Sequence, residues 1–168
     1  DFETYEELES AFAKQIDHFV DRMIPVCHAV DRIHGEVVPS PFLSSVIDSC
    51  IERGVDVTDG GARYNLSGIQ AIQPANVADS LAALRTVVYE ERRTGRREIL
   101  TALRADFEGH ELLRQRLLHK APKYGNDVEW VDEIANRWVR HFADRLAGFT
   151  NRRGGRYHTG LYTVSAHV

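Results

Sequence analysis

Three adjacent polar side chains, Arg63, Tyr64 and Asn65, follow a pair of glycines and form the stretch best suited to chemistry. Gly60 and Gly61 permit backbone angles that a Cβ would forbid. The three side chains supply a planar cation, a phenol and an amide, which are groups that bind a ligand or fix a loop. The sequence therefore predicts a turn whose side chains face a site.

Two carboxylates, Asp56 and Asp59, precede this turn. Aspartate commonly accepts hydrogen bonds from backbone amides in a turn, and this is the role we expect. A pair of carboxylates doing acid/base work is the alternative, but a catalytic carboxylate must lie within hydrogen-bond reach of the reacting group. The sequence leaves this alternative open.

Several other residues that often form sites lack the necessary companions. No carboxylate or cysteine completes a metal-ligand set with His28 and His34. Cys27 and Cys50 form no Cys-x-x-Cys pair, and each falls on an apolar helical stripe, so we expect free structural thiols. Trp138 also lies on an apolar stripe, which favours a core position over a stacking platform for a ligand.

The segment 151–160 is rich in glycine and arginine, which suggests a phosphate cradle. It lacks the Gly-x-x-x-x-Gly-Lys-Ser/Thr spacing, however, and does not lead into a helix. The cationic turn 92–97 is expected to be a solvated surface turn at the end of a helix.

The elements that position these residues are mainly amphipathic helices. A capping box at Thr4 and Glu7 begins the first helix, and Pro25 is expected to end or kink it near Met23 or Ile24, before a polar link at 31–36. The second is expected to begin with Ser40 as N-cap, to end at Gly54, and to bury the apolar stripe Phe42, Leu43, Val46, Ile47, Cys50 and Ile51.

The remaining apolar patterns predict four more helices and up to two strands. The helices are expected at 76–91, starting at Asn76, at 98–107, at 110–118 and, after a loop that ends at Asp127, across Val131 to Phe142. Alternation predicts a weak strand at 55–59 and a clearer one at Leu161–Val168.

Composition limits the possible classes of protein. The 168 residues, 43% of them hydrophobic, suffice for one core. The formal charge of −4 argues against general nucleic-acid binding. No apolar run is long enough to span a bilayer, and the N-terminal stretch lacks the layout of a signal peptide, so we expect a cytoplasmic protein without nucleic-acid or membrane partners.

A family resemblance rests on motifs spread over almost the whole chain. The motifs are Pro39–Ser44, Cys50–Gly54, Gly60–Asn65, Gly68-Ile69-Gln70, Ala75–Leu84, Lys123–Asp127 and Gly160–Val168. In their order and spacing they resemble the pyruvate formate-lyase-like glycyl radical enzymes. The resemblance implies a parent α/β barrel of ten strands, in which this chain is a mostly helical interior segment with one or two short strands and no internal domain boundary.

The chemistry of that family needs two motifs that are absent from this sequence: a thiyl cysteine in a Gly-Cys-x-Glu-like loop and a glycine in an Arg-Val-x-Gly-Tyr-like loop. The resemblance implies that both lie outside this chain, that the parent cleaves a C–C, C–O, C–N or C–S bond by a glycyl/thiyl radical relay, and that the isolated chain is inactive. Cys50 has the wrong surroundings for the thiyl residue, because its helix is expected to run on to Gly54.

The resemblance also implies partners and site residues. A radical S-adenosylmethionine enzyme would install the glycyl radical, this chain itself would bind no cofactor or metal, and the parent would be a homodimer acting on a small molecule. Arg63, Tyr64, Asn65, Tyr157 and Tyr162 would bind or border the substrate, and no residue here would be catalytic. The motifs look closer to the dehydratase, decarboxylase and lyase branches than to formate acetyltransferase.

Two interpretations outside the enzyme class remain. The chain could be a non-catalytic helical partner module or split subunit, which would expose a strand edge and an apolar face. A separate metal or redox protein is the weaker alternative, because no ligand cluster is evident.

Overall fold

A computed structural model describes residues 2–163 of the chain. Within this part of the chain helices dominate, with one short sheet of two strands. The α-helices are α1 (Tyr5–Val37), α2 (Pro41–Val46), α3 (Cys50–Arg53), α4 (Pro74–Leu84), α5 (Arg96–Arg104), α6 (Glu111–His119) and α7 (Glu129–Ala147). A 3-10 turn spans Val57–Asp59, a π-helix spans Arg85–Glu90, and the strands are β1 (Ser67–Ile72) and β2 (Tyr157–Tyr162).

The chain divides into two compact units. The first unit comprises Ile72–Arg140 together with the described residues before Lys14 and after Gly160, and the second comprises Lys14–Ala71 and His141–Gly160. Within residues 2–163, no helix is long and apolar enough to cross a membrane.

The first helix is longer than the sequence predicts, because α1 continues through Pro25 to Val37. The Thr4 hydroxyl accepts a hydrogen bond from the Glu7 amide at 3.2 Å, which confirms half of the predicted capping box, while the Glu7 carboxylate accepts from the Glu3 amide at 2.6 Å. Proline removes one helical hydrogen bond, but burial of Val20 and Ile24 in the second unit's core holds the preceding turns in place. The predicted link at 31–36 is therefore wrong, since those residues are helical.

The second predicted helix is also wrong in its length and in its buried face. It is broken into α2 and α3, and Ser49 between them has a φ of 74°. Ser40 occupies the N-cap position before Pro41, as predicted, although its side chain makes no capping hydrogen bond. Among the six residues of its expected stripe only Cys50 is buried, while Phe42 and Ile51 are 85% and 71% exposed. Cys50 begins α3 instead of lying mid-helix.

The predicted 76–91 helix begins earlier and changes type along its length. It starts at Pro74, with Gln73 at the N-cap position, so Asn76 is not its cap. From Arg85 to Glu90 it becomes a π-helix, and the Glu91 amide donates to the Thr86 carbonyl at 2.9 Å. In the first unit, Val87 and Val88 of this π-helix join Ile99, Ala102 and Leu113 in a buried cluster.

The two strands are parallel. The Ser67 amide bonds to the Arg156 carbonyl and the Gln73 amide to the Tyr162 carbonyl, so residue numbers increase in the same direction and by the same amount on both strands. The strand predicted at 161–168 instead begins at Tyr157, and its residues 164–168 lie outside the described part of the chain. The weak strand predicted at 55–59 is wrong, since Val57–Asp59 is a 3-10 turn.

The core of the second unit lies beside this sheet. Val20 and Ile24 of α1, Leu146 of α7 and Tyr157 of β2 form a buried cluster, and Ile69 of β1 packs against it. Helical side chains therefore cover the face of the strands that carries Ile69 and Tyr157.

Candidate functional site

The turn that carries Arg63, Tyr64 and Asn65 is built on the Asp56 carboxylate. This group accepts hydrogen bonds from the Ser40 amide (3.0 Å), the Ser44 hydroxyl (2.8 Å) and the Thr58 amide and hydroxyl (2.9 and 2.7 Å). The bonds from Thr58, aided by those from Ser44 and Ser40, lower the pKa of the Asp56 carboxyl well below its usual range. The expected role of Asp56 in the turn is confirmed.

Gly61 is required at its position for a steric reason. A Cβ there would lie 1.9 Å from the Val55 carbonyl oxygen and 2.9 Å from that of Asp56. The Gly61 amide also donates to the Asp56 carbonyl at 2.9 Å. The two backbone segments thus pass closer together than any side chain would allow.

Arg63 and Tyr64 are presented at the surface of the second unit. Tyr64 is 75% exposed, and the Arg63 guanidinium carbon lies 5.7 Å from the centre of its ring. Behind them, Arg53 donates to the carbonyls of Gly61 and Ala62 at 3.3 and 3.2 Å. The turn is held from its inner side, which leaves both exposed side chains available to a ligand.

Asn65 differs from its two neighbours because its side chain turns inward. Its amide donates to the carbonyls of Gly60 and Ala62 at 3.3 and 2.9 Å, which closes the turn. Its own carbonyl accepts from the side-chain amide of Asn151 at 2.5 Å. Asn65 therefore joins the glycine turn to the segment that precedes β2.

Asn151 is a buried centre of hydrogen bonds that the sequence analysis missed. It is 4% exposed, its side-chain nitrogen also donates to the Ser67 hydroxyl at 2.9 Å, and its side-chain oxygen accepts from the Gly155 amide at 2.8 Å. Gly155 lies so close to Asn65 that a Cβ would be 1.7 Å from the Asn65 carbonyl oxygen. Asparagine within a glycine-rich segment was the available signal, because it is typical of a turn with side-chain to backbone bonds.

Tyr157 lies in the core of the second unit rather than at its surface. It is 3% exposed, and its ring stacks on His28 at 6.3 Å between centres. Its hydroxyl is buried and forms no hydrogen bond with any residue in 2–163. Burial raises the pKa of this phenol, and the nearby Cys27 and Asp31 raise it further.

A groove of about 370 Å³ runs beside Tyr157 in the second unit. Its apolar walls include Val26, Val30 and Leu66, and its polar lining includes Asp31 and Arg153. The Arg153 Nε lies 3.6 Å from the Asp31 carboxylate, and another guanidinium nitrogen donates to the Ser67 hydroxyl at 3.0 Å. The charge of Arg153 is thus balanced within the groove.

Two arginines of the glycine-rich segment, Arg152 and Arg153, are paired with carboxylates, which weakens the case for a phosphate cradle. Arg152 forms ion pairs with Asp59 at 2.8 Å and with Glu36 at 3.7 Å, and Arg153 faces Asp31. In the described residues, no group of three or more His, Cys, Asp or Glu side chains could hold a metal ion. Cys27 and Cys50 are both free thiols, Cys50 being buried.

Tyr162, the last predicted site residue, ends β2 and is 50% exposed. Its carbonyl accepts from the Gln73 amide at 3.0 Å. The structure therefore presents Arg63, Tyr64 and Tyr162 with open side chains, whereas the Asn65 side chain is hydrogen-bonded within the turn and Tyr157 is packed in the core. Trp138 is 8% exposed and meets Phe12 edge-on at 4.7 Å, as expected of a core residue.

In the first unit, aspartates of two helices accept hydrogen bonds from backbone amides of the Lys123–Asp127 loop. The Asp79 carboxylate of α4 accepts from the Tyr124 amide at 2.8 Å, and Asp132 of α7 accepts from the Gly125 amide at 2.8 Å. The Lys123–Asp127 loop is thus held at two points. These two bonds give the loop a structural role.

Comparison with known proteins gives a consistent result. The "Pyruvate formate lyase-like" family model matches residues 1–168. Trans-4-hydroxy-L-proline dehydratase from Clostridioides difficile is 34% identical over 99% of this chain and 21% of its own length.

Two solved structures are similar in both sequence and fold. The glycerol-bound B12-independent glycerol dehydratase from Clostridium butyricum is 38% identical with a TM-score of 0.88, over 96% of this chain and 20% of that one. A structure from Roseburia inulinivorans that describes 1,2-propanediol dehydration is 38% identical with a TM-score of 0.87, over 100% of this chain and 22% of that one.

The chain thus spans about a fifth of the length of these relatives. The match covers every motif on which the resemblance rested, from Pro39–Ser44 to Gly160–Val168. The chain belongs to the pyruvate formate-lyase-like family of glycyl radical enzymes.

Proposed function

We propose that this chain is an interior segment of a glycyl radical dehydratase or lyase, which removes a group from a small substrate by breaking a C–O or related bond. One observation carries the proposal: the chain matches dehydratases over nearly all of its own length and only a fifth of theirs. The radical-bearing cysteine and glycine loops would then belong to other parts of the parent polypeptide.

In the parent, β1 and β2 would be two neighbouring strands of a ten-stranded barrel. Their parallel pairing and the helical cover on one face suit that architecture, in which helices surround a sheet. The parent would have no domain boundary within this segment, would be a cytoplasmic homodimer, and would receive its glycyl radical from a separate radical S-adenosylmethionine enzyme.

The substrate-binding role of the five predicted residues follows from their individual surroundings. Arg63, Tyr64 and Tyr162 have open side chains and are proposed to contact substrate. Asn65 and Tyr157 are proposed to support the wall of the substrate cavity from behind, because their side chains are turned into the protein. None of the five would take part in the radical chemistry.

The test is reconstitution of the parent enzyme. The full-length polypeptide containing this segment would be produced without oxygen, activated by its S-adenosylmethionine enzyme, and examined by electron paramagnetic resonance for a glycyl radical. The activated enzyme would then be given trans-4-hydroxy-L-proline, glycerol, 1,2-propanediol and isethionate. We expect a radical and turnover of trans-4-hydroxy-L-proline, glycerol or 1,2-propanediol, whereas turnover of isethionate alone would place the enzyme in the sulfite-lyase branch.

A native polypeptide of only 19.1 kDa would contradict the proposal. The alternative of a split subunit would then apply, and it has one structural observation in its favour. Large apolar side chains are exposed on the chain, with Phe42 and Leu112 both 85% exposed. Size determination by immunoblot of source cells distinguishes the two cases, because the parent should be several times larger.

A further inference from the structure

The two faces of the sheet within the second unit have different surroundings. Ile69 and Tyr157 pack into the helical core, whereas the alternate positions Gly68, Gln70 and His158 are exposed. Side chains alternate between the faces of a strand, so these three residues share the face opposite the helices. In a barrel surrounded by helices, that uncovered face is the inner one.

The strand register places Gln70 beside Gly160 and His158 beside Gly68. The carboxamide of Gln70 lies directly over Gly160, where a Cβ would come within 2.4 Å of Oε1 and 2.7 Å of Nε2. The absence of a side chain at position 160 therefore sets where the Gln70 amide rests. Glycine inside a strand commonly marks a point where a ligand or another backbone approaches closely.

The Gln70 carboxamide has its hydrogen-bonding capacity available. No side-chain hydrogen bond joins it to any residue in 2–163, although it offers one acceptor oxygen and two donor hydrogens. A hydroxyl group both donates and accepts hydrogen bonds. A carboxamide can accept from the hydroxyl through its oxygen and donate to it through its nitrogen. The His158 imidazole, on the same face, adds a second donor or acceptor.

We propose that Gln70 determines substrate specificity in the parent enzyme by binding a hydroxyl group of the substrate, with His158 as its neighbour on the inner face of the sheet. The substrate class is a small, uncharged or zwitterionic compound with at least one hydroxyl, in keeping with the glycerol, 1,2-propanediol and hydroxyproline named for the relatives. This inference rests on the proposed function and deepens it.

The test measures binding in the full-length enzyme before activation. Dissociation constants for 1,2-propanediol, glycerol and trans-4-hydroxy-L-proline would be obtained by calorimetry for wild type, Gln70→Ala, Gln70→Glu and Gly160→Ala. We expect roughly tenfold weaker binding in Gln70→Ala, as for loss of about one hydrogen bond. Gly160→Ala should weaken binding in the same direction, because its methyl group displaces the carboxamide.

Two controls separate recognition from folding. Gln15→Ala changes an exposed glutamine of α1 and should leave every dissociation constant within twofold of wild type. The second control compares 1,2-propanediol with 1-propanol and 2-propanol, each lacking one hydroxyl. If Gln70 binds a hydroxyl, Gln70→Ala must reduce the preference for the diol over one of the two alcohols, which a purely structural effect would not do.

The outcomes of the two proposals are distinguishable. Unchanged affinity and unchanged diol preference in Gln70→Ala would overturn the assignment of Gln70 even if the enzyme forms its radical and turns over a diol. Failure of wild type to bind any of the three hydroxylated probes would also overturn it. Failure to form a glycyl radical at all would instead contradict the proposed function.

Discussion

The two units of this chain are stabilised by different kinds of contact. In the first unit, Val87, Val88 and Leu113 belong to a cluster of closely packed apolar side chains. In the second unit, the polar segments around Asn65 and Asn151 are held by side-chain to backbone hydrogen bonds and by glycines in close contact with carbonyls. A packed core tolerates small changes in side-chain volume. Two backbone segments that touch at a glycine cannot tolerate an added Cβ. The comparison can be tested by substitutions in each unit.

The largest effect is expected from Gly155→Ala in the second unit. The new methyl group would meet the Asn65 carbonyl at 1.7 Å, so the two segments must separate. We expect a loss of about 3 kcal/mol or more in the free energy of unfolding, at or above the upper end of overpacking costs. Urea denaturation measures it. Gly95→Ala is the control, because no atom lies within 4 Å of its Cβ position, and an equal loss there would refute the steric explanation.

Leu113→Ala should destabilise the first unit by about 3 kcal/mol, within the usual range for removing a buried leucine. Its neighbour Leu112 is 85% exposed against 5% for Leu113, so Leu112→Ala should cost under about 0.5 kcal/mol. Thermal and urea unfolding of both variants make this comparison. Similar losses in the two variants would mean that the apolar cluster does not determine the stability of this unit.

Asn151→Ala should cost about 2 kcal/mol, because the Asn65 carbonyl and the Gly155 amide lose a partner in a buried place. The control is Asn126→Ala, in which an exposed asparagine with one 3.3 Å bond is removed. Hydrogen exchange of the Gly155 amide provides a local readout and should accelerate in the first variant alone. Unchanged protection would show that Asn151 does not hold this segment.

The smallest effect concerns acid stability. Hydrogen bonds lower the pKa of Asp56 in the folded chain, while an unfolded aspartate has a pKa of about 3.9. Its stabilising contribution is therefore complete above the unfolded pKa and is lost as the pH falls toward the folded pKa. Asp56→Asn should be less stable than wild type at neutral pH, and the difference should narrow below about pH 4.

Urea midpoints measured across that pH range test this expectation. Asp48→Asn, a change at an exposed carboxylate, is the matched control and should follow the wild-type pH profile. A constant difference between wild type and Asp56→Asn at every pH would contradict the role of ionised Asp56.

The sequence predicted most helices where an apolar stripe is buried within this chain. Helix α7 illustrates this, since Val131, Ile134 and Ala135 are all buried as their spacing indicated. The predicted end of α1 at Pro25 is wrong, because local propensity cannot weigh the long-range burial of Val20 and Ile24 against one lost hydrogen bond.

The second predicted helix failed for the opposite reason. Its apolar residues Phe42, Val46 and Ile51 are exposed, so the pattern lacked a partner surface within the described residues. The Asp56 carboxylate binds Ser40 and Ser44 across the chain instead, and no local rule predicts such contacts.

The candidate site was only partly predictable. The glycine turn was found because Gly60 and Gly61 have a direct backbone consequence, and Gly61 has no room for a Cβ. The inward turn of Asn65 and the burial of Tyr157 were not predicted, because residue type alone does not indicate which side of a loop or strand meets the core. Asn151 acts through Asn65, a residue distant in sequence, which explains why spacing did not reveal it.

The π-helix at Arg85–Glu90 has a consequence for how this segment can change length. A π turn accommodates one residue more than an α turn, so deleting a single residue here could be absorbed by reversion to α-helical bonding. The helical turns on either side would keep their backbone hydrogen bonds, and the loops before and after the helix would stay in place. Insertions and deletions between family members should therefore be tolerated at this turn more readily than at Gly61 or Gly155, where backbone segments are already in contact.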